Sequence, residues 1–207
     1  MQAYVENLRR VVEGFPDVLS PGVACVTALT NALLSGPHGG GRSGAEGCCG
    51  SGPSSLVASA EERAAHDSLL AAAHASVQAE LASTLRWYTG LLDACSSLQG
   101  ALDGRAGASG GGSGGGGAER CRELLGELRD GFAAECAVRA AVASSLLPQR
   151  CWRAQGAASS PYALPRADEG DREALTLCVA AWAVPAHTSP ARSARILAAL
   201  RDVAGAL

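Results

Sequence analysis

Apolar residues recur with a seven-residue period between residues 59 and 102, the longest part of the chain with neither a proline nor a glycine cluster. This 4,3 spacing is typical of a helix that buries one narrow stripe against neighbouring helices. The stripe positions are Leu70, His74, Val77, Leu81, Thr84, Tyr88, Leu91, Cys95, Leu98 and Leu102. The pattern predicts one long helix over residues 59–102, whose stripe must be covered by other helices of the chain, by another protein, or by both.

A second long helix is predicted over residues 118–147, where the same period continues until Pro148 ends the helix. Its apolar positions are Cys121, Leu125, Leu128, Phe132, Val142 and Leu146. Glu135 and Arg139 interrupt this stripe, and we interpret them as a solvent-exposed i, i+4 ion pair. The alternative is that the pair sets the register against a second protein.

Shorter helices are predicted at both ends of the chain. Residues 1–34 form an N-terminal helical segment that is interrupted near Gly14, with a second helix from Gly22. Residues 171–207 form a C-terminal helical pair that is separated at Pro185.

Three segments lack an apolar period. Residues 35–58 and 103–117 are rich in glycine and serine, so they cannot bury enough apolar surface to become ordered. Residues 148–170 are irregular, and Trp152 and Tyr162 within them are expected to lie on the bundle or on a partner. The predicted fold is therefore all-α: an antiparallel, coiled-coil-like hairpin of two long helices, with short N-terminal helices, a C-terminal two-helix unit and Gly-rich disordered linkers.

Composition narrows the possible chemistry. All 17 basic residues are arginine, which excludes a Walker phosphate loop, a Schiff-base lysine and a lysine general base. The formal charge of −3 gives no electrostatic reason to expect direct binding of nucleic acid. Gly111, Ser113 and Gly115 match the nucleophile-elbow pattern, but no strand precedes them, so the match is a chance one.

The eight cysteines are expected to be reduced thiols in an intracellular compartment, because most of them lie within helical patterns and no signal peptide is recognised before them. His38, Cys48 and Cys49 do not have the paired spacing of a zinc site. No apolar run reaches the roughly 18 residues of a membrane span. We therefore expect no metal, no cofactor and no membrane contact.

The unpartnered stripe favours a protein that works by binding other proteins. The candidate interaction residues are Leu81, Trp87, Tyr88, Leu91, Leu98, Phe132, Leu175, Trp182 and Pro185. Trp87 and Trp182 lie outside the obvious stripes, so Trp87 is expected to face a partner. One alternative is a homodimeric coiled-coil tether. Another is a four-helix-bundle enzyme, which is disfavoured because the inward-facing Glu-x-x-His motif of di-metal bundles does not occur.

The C-terminal unit carries the most specific pattern of the chain. Leu175, Thr176 and Leu177 lead through Trp182 to Pro185 before a final leucine-rich helix. Together with the N-terminal amphipathic segment and the two long heptad helices, this pattern resembles the cyclin-dependent-kinase-2-interacting protein family. The resemblance implies a non-enzymatic adaptor of the nucleus, and also of the cytoplasm, within a hetero-complex. Its implied partners are a cell-cycle kinase, a checkpoint factor and subunits of an AAA-type ATPase assembly, in genome maintenance and ribosome maturation.

Overall fold

The structure, a computed structural model, describes residues 1–35, 60–108, 115–147 and 171–206. Within these ranges the protein forms six helices and no strand, so the predicted all-α class is confirmed. The helices are α1 (Gln2–Glu13), α2 (Phe15–Leu34), α3 (Ala60–Ala108), α4 (Gly115–Leu146), α5 (Arg172–Ala183) and α6 (Pro190–Ala206).

The six helices form four rods around a common axis. Rod 1 consists of α1 and α2, rod 2 of α3, rod 3 of α4, and rod 4 of α5 and α6. Rod 1 packs on α3, α3 packs on α4, and α4 packs on both helices of rod 4. Rod 4 then returns to rod 1, with α6 against α1 and α5 against α2. The bundle is therefore closed, and each rod has two neighbours.

The buried apolar residues fall into two clusters along the axis. The lower core contains Leu8, Phe15, Leu98, Leu128 and Leu200 among others. The upper core contains Val26, Leu81, Val142, Leu175 and Trp182 among others. Residue numbers rise from the lower to the upper core in rods 1 and 3 and fall in rods 2 and 4, so neighbouring rods are antiparallel.

Rods 1 and 4 are each broken near the middle of the bundle. In rod 1, Gly14 separates α1 from α2, and Pro16 at the start of α2 has no N–H to donate. In rod 4, the backbone of Val184 is extended, because the following Pro185 disfavours the helical conformation at the residue before it. Ser189 then caps α6, because its Oγ accepts a hydrogen bond from the N–H of Arg192 at 3.1 Å.

Helix boundaries differ from the sequence prediction in three places. The second helix begins at Phe15 rather than Gly22, and Pro21 lies inside it. Helix α3 continues to Ala108 and α4 begins at Gly115, so helix covers both ends of the segment predicted as the linker 103–117. Residues 36–59, 109–114 and 148–170, including Trp152 and Tyr162, lie outside the described residues.

One stretch, Gln2–Leu34, is long and apolar enough to cross a membrane by length and composition alone. Its apolar face contributes Leu8, Val26 and Leu29 to the bundle core, and all three side chains are fully buried. A core helix of a bundle passes the same test of length and composition, so the finding is weak support for a membrane span.

Candidate functional site

A buried ion pair occupies the middle of the bundle, between the two cores. Glu135 and Arg139 of α4 have fully buried side chains, and Arg139 Nη1 lies 2.6 Å from Glu135 Oε2. Glu135 Oε1 also accepts hydrogen bonds from the backbone N–H groups of His187 and Thr188, the latter at 2.9 Å. Arg139 Nη2 donates to the carbonyl oxygen of Trp182 at 3.4 Å. The pair therefore binds both sides of the break in rod 4.

The prediction of a solvent-exposed ion pair is wrong for a physical reason. A break in a helix leaves backbone N–H and C=O groups without intrahelical partners, and buried groups of this kind require other partners. Glu135 and Arg139 supply them from α4. A signal was present in the sequence, because both residues occupy positions of the same 4,3 stripe as Phe132 and Val142.

An aromatic cluster lies next to this ion pair. The ring centroid of Phe15 lies 4.5 Å from that of Trp87 and 4.9 Å from that of Phe132, and those of Trp87 and Phe132 are 5.0 Å apart. Trp87 Nε1 donates to the carbonyl oxygen of Val11 at 2.8 Å, close to the break in rod 1. The guanidinium of Arg139 lies 5.5 Å from the centroid of Phe15, within cation–π range.

Rods 1 and 4 part at the level of their breaks and leave an apolar groove with a volume of about 470 Å³. Phe132 of α4 lines the groove between the two walls. The wall from rod 1 includes Val12, Glu13, Phe15, Pro16, Leu19 and Ser20. The wall from rod 4 includes Pro185, Ser189, Pro190, Ser193, Ala194 and Leu197. The volume lies within the range of typical ligand-binding clefts.

Contacts between rods 1 and 4 mark the regions above and below this groove. Toward the upper core, a Cβ atom added to Gly22 would lie 2.8 Å from Cε2 of Trp182, so α2 and α5 approach closely only because residue 22 is glycine. Toward the lower core, Arg201 of α6 lies 3.7 Å from Glu6 of α1. The groove is therefore a local separation within an otherwise closed pair of rods.

The structure places most of the sequence-predicted interaction residues in the core. Six of them are at most 2% exposed: Leu81, Leu91, Leu98, Phe132, Leu175 and Trp182. Trp87 and Tyr88 are partly buried against the lower core, so Trp87 packs within the chain rather than facing solvent. Pro185 is partly exposed and lines the groove together with Phe132. The set is not one surface, and only these two residues meet at the candidate site.

Sequence reasoning missed most of the groove. Of the residues that line the groove, the sequence-predicted interaction residues include only Phe132 and Pro185, because a groove depends on the register of two rods that are distant in the chain. The available signal was a proline at the break in each terminal rod, at Pro16 and Pro185.

The described thiols are poor nucleophiles. Burial raises the pKa of Cys136 to about 12 and that of Cys95 to about 11. Burial also raises the pKa of Cys121 and Cys178. Among the described residues, no group of three or more His, Cys, Asp or Glu side chains could hold a metal ion.

Comparison with protein-family models, with curated proteins and with solved structures finds no match for this chain.

Proposed function

We propose that this protein is a non-enzymatic helical adaptor subunit that binds a segment of a partner protein in the groove between rods 1 and 4. The observation that carries the proposal is the groove itself, an apolar cleft of about 470 Å³ at the level where both flanking rods are broken. Apolar grooves between helices are suited to the apolar face of an amphipathic helix. The wall from Val12 to Val23 is about 16 Å long at 1.5 Å per residue, enough for three turns of such a helix.

The burial of the α3 stripe supports a partner site outside that stripe. Leu81, Leu91 and Leu98 are at most 1% exposed because rods 1 and 3 cover them. The alternative, a homodimeric tether, would need the same residues to contact a second copy, so it would require the bundle to open. We further propose that α3 and α4 act as a coiled-coil-like hairpin that supports the two broken rods.

The resemblance of the C-terminal unit to cyclin-dependent-kinase-2-interacting proteins suggests the biological setting of the adaptor. In this proposal the protein is a subunit of a nuclear hetero-complex, present also in the cytoplasm. It connects a cell-cycle kinase or checkpoint factor with AAA-type ATPase subunits in genome maintenance and ribosome maturation. It has no direct contact with nucleic acid or membrane. Leu177 of the motif is 56% exposed, so this residue is available to a partner.

A first experiment separates the adaptor from the tether. The mass of the purified full chain in solution, measured by light scattering, is expected to be that of a monomer. A stable homodimer would contradict the adaptor and favour the tether.

A second experiment tests the groove. Ser20 and Ala194 are exposed and lie on opposite walls, so Ser20→Arg and Ala194→Arg each introduce a long charged side chain without removing a core residue. We expect both variants to lose co-purification with AAA-type ATPase subunits. The matched controls are Ala28→Arg on α2 and Ala198→Arg on α6, which are exposed but outside the groove lining and are expected to bind normally. Equal binding by all four variants would exclude the groove as the site.

A further inference from the structure

The corner between α5 and α6 carries a sequence that protein kinases can recognise. Ser189 is followed by Pro190, and Arg192 stands three positions after the serine. Proline-directed serine/threonine kinases accept a serine that is followed directly by proline, and a basic residue at the third position strengthens their recognition. All four residues from Ser189 to Arg192 are exposed.

The local backbone of Ser189 suits a kinase active site better than that of the other serine–proline pair in the described residues. Ser189 lies outside helix, at the end of the corner, where its Oγ makes the 3.1 Å cap contact with the N–H of Arg192. Opening one exposed cap and the first turn of α6 would present the segment in extended form. Ser20 precedes Pro21 on the facing wall, but it lies within α2, and Val23 stands at the third position.

We infer that Ser189 is a phosphorylation site for a proline-directed kinase and that its phosphate closes the groove to apolar segments. In this reaction the Oγ of Ser189 forms a bond to the γ-phosphorus of Mg²⁺-bound ATP. The bond between that phosphorus and the β,γ-bridging oxygen breaks, ADP leaves, and the hydroxyl proton passes to a base of the kinase. The regulatory half of this inference rests on the proposed function of the groove.

Charge explains why the phosphate would oppose binding. A phosphoserine carries a charge of about −1.5 to −2 at neutral pH. Ser189 lines a groove whose other wall contributes apolar side chains and the carboxylate of Glu13, which is already paired with Arg9. On the side of rod 4, the guanidinium of Arg192 is also paired, at 2.8 Å from Glu127. The residues that line the groove include no arginine, so an apolar segment would have to desolvate the phosphate without a cation among them.

Phosphate mapping tests the modification. The purified full chain is incubated with Mg²⁺–ATP and a purified proline-directed kinase, and the product is mapped by mass spectrometry. We expect one phosphate on Ser189, no phosphate there in Ser189→Ala, and strong reduction in Pro190→Ala, which keeps the capping hydroxyl. Ser193→Ala is the matched control, because Ser193 lines the same groove but no proline follows it. Absence of phosphate from Ser189, or its presence only at another serine such as Ser160 before Pro161, would overturn the assignment.

Binding of a neutral apolar dye, Nile red, tests the regulation separately. We expect the unmodified chain to bind the dye, Ala194→Arg to lose this binding, and the Ser189-phosphorylated chain to bind roughly tenfold more weakly. Unchanged dye binding after complete phosphorylation would overturn the regulatory half while leaving the modification site in place. Failure of the unmodified chain to bind dye would instead count against the groove, and so against the proposed function and its regulation.

Discussion

At the scale of single residues, the central ion pair has two roles in one contact. Glu135 neutralises the charge of Arg139, and it also accepts hydrogen bonds from the backbone N–H groups of His187 and Thr188. Burying two charges costs several kcal/mol per ion unless the geometry and the additional hydrogen bonds compensate for it. Here the additional bonds are made to the corner between α5 and α6, so the pair and the corner depend on each other.

Glu135→Gln separates these two roles. Glutamine keeps an acceptor oxygen for the N–H groups of the corner but leaves the guanidinium of Arg139 buried without a countercharge. We expect a loss of about 3–5 kcal/mol in the free energy of unfolding, measured by urea denaturation. Glu123→Gln breaks an ion pair to Arg120 whose side chains are more than half exposed, so it should change stability by at most about 0.5 kcal/mol. Equal effects of the two variants would mean that Glu135 is solvated.

Because of the buried thiols, the free energy of unfolding is expected to decrease as the pH rises into the alkaline range. The pKa of Cys136 is raised to about 12 in the folded chain, whereas in the unfolded chain it is near its ordinary value of 9.0. Between these values the unfolded state releases the thiol proton and the folded state retains it, so stability falls as pH rises. Cys136→Ala should make the unfolding free energy less steep against pH above 9, in equilibrium titrations from pH 8 to about 11. An unchanged slope would show that this thiol is not buried.

At the scale of helices, the close approach of α2 and α5 depends on a single glycine. A Cβ atom at residue 22 would lie 2.8 Å from Cε2 of Trp182, a fully buried side chain that cannot move aside freely. We expect Gly22→Ala to destabilise the fold by about 1–3 kcal/mol in thermal or urea unfolding. Gly90→Ala in α3 is the control, since nothing lies within 4 Å of its added methyl group, and it should stabilise by about 0.5–1 kcal/mol. Stabilisation by both variants would mean that α2 and α5 are farther apart.

Sequence periodicity predicted that long helices exist but not what covers them. A stripe of 4,3 spacing describes contact with one neighbour, whereas α3 packs against both rod 1 and rod 3. Its packed surface is therefore wider than one stripe, which is why Trp87 is partly buried against the lower core although it lies outside the heptad positions. The groove was beyond sequence reasoning for a related reason. It exists because Gly14 and Pro185 interrupt two rods at the same level, and this coincidence depends on tertiary register.

At the scale of the whole molecule, the two cores are joined by two continuous helices and by two interrupted rods. Helices α3 and α4 run through both cores, whereas rod 4 is interrupted where the cores meet. Rod 1 is interrupted at Gly14, within the lower core, which also contains Phe15 and Leu19 of α2. Intrahelical hydrogen bonds therefore do not continue through the break in rod 4. The ion pair of Glu135 and Arg139 instead joins α5 and the corner before α6 to α4. We infer that α1 and α6 can open together while the upper core stays folded.

Two matched leucines test this division. Leu8 of α1 lies in the lower core and Leu29 of α2 in the upper core, and both are fully buried. Replacement of either by alanine should cost about 2–5 kcal/mol. By native-state hydrogen exchange, Leu8→Ala should lower the opening free energies of α1 and α6 amides most and spare those of α5, whereas Leu29→Ala should do the reverse. An equal loss of protection in α5 and α6 from either variant would mean that the bundle opens as one unit. A divided response would instead place the groove at the boundary between two units, where a bound helix contacts both and would stabilise them together.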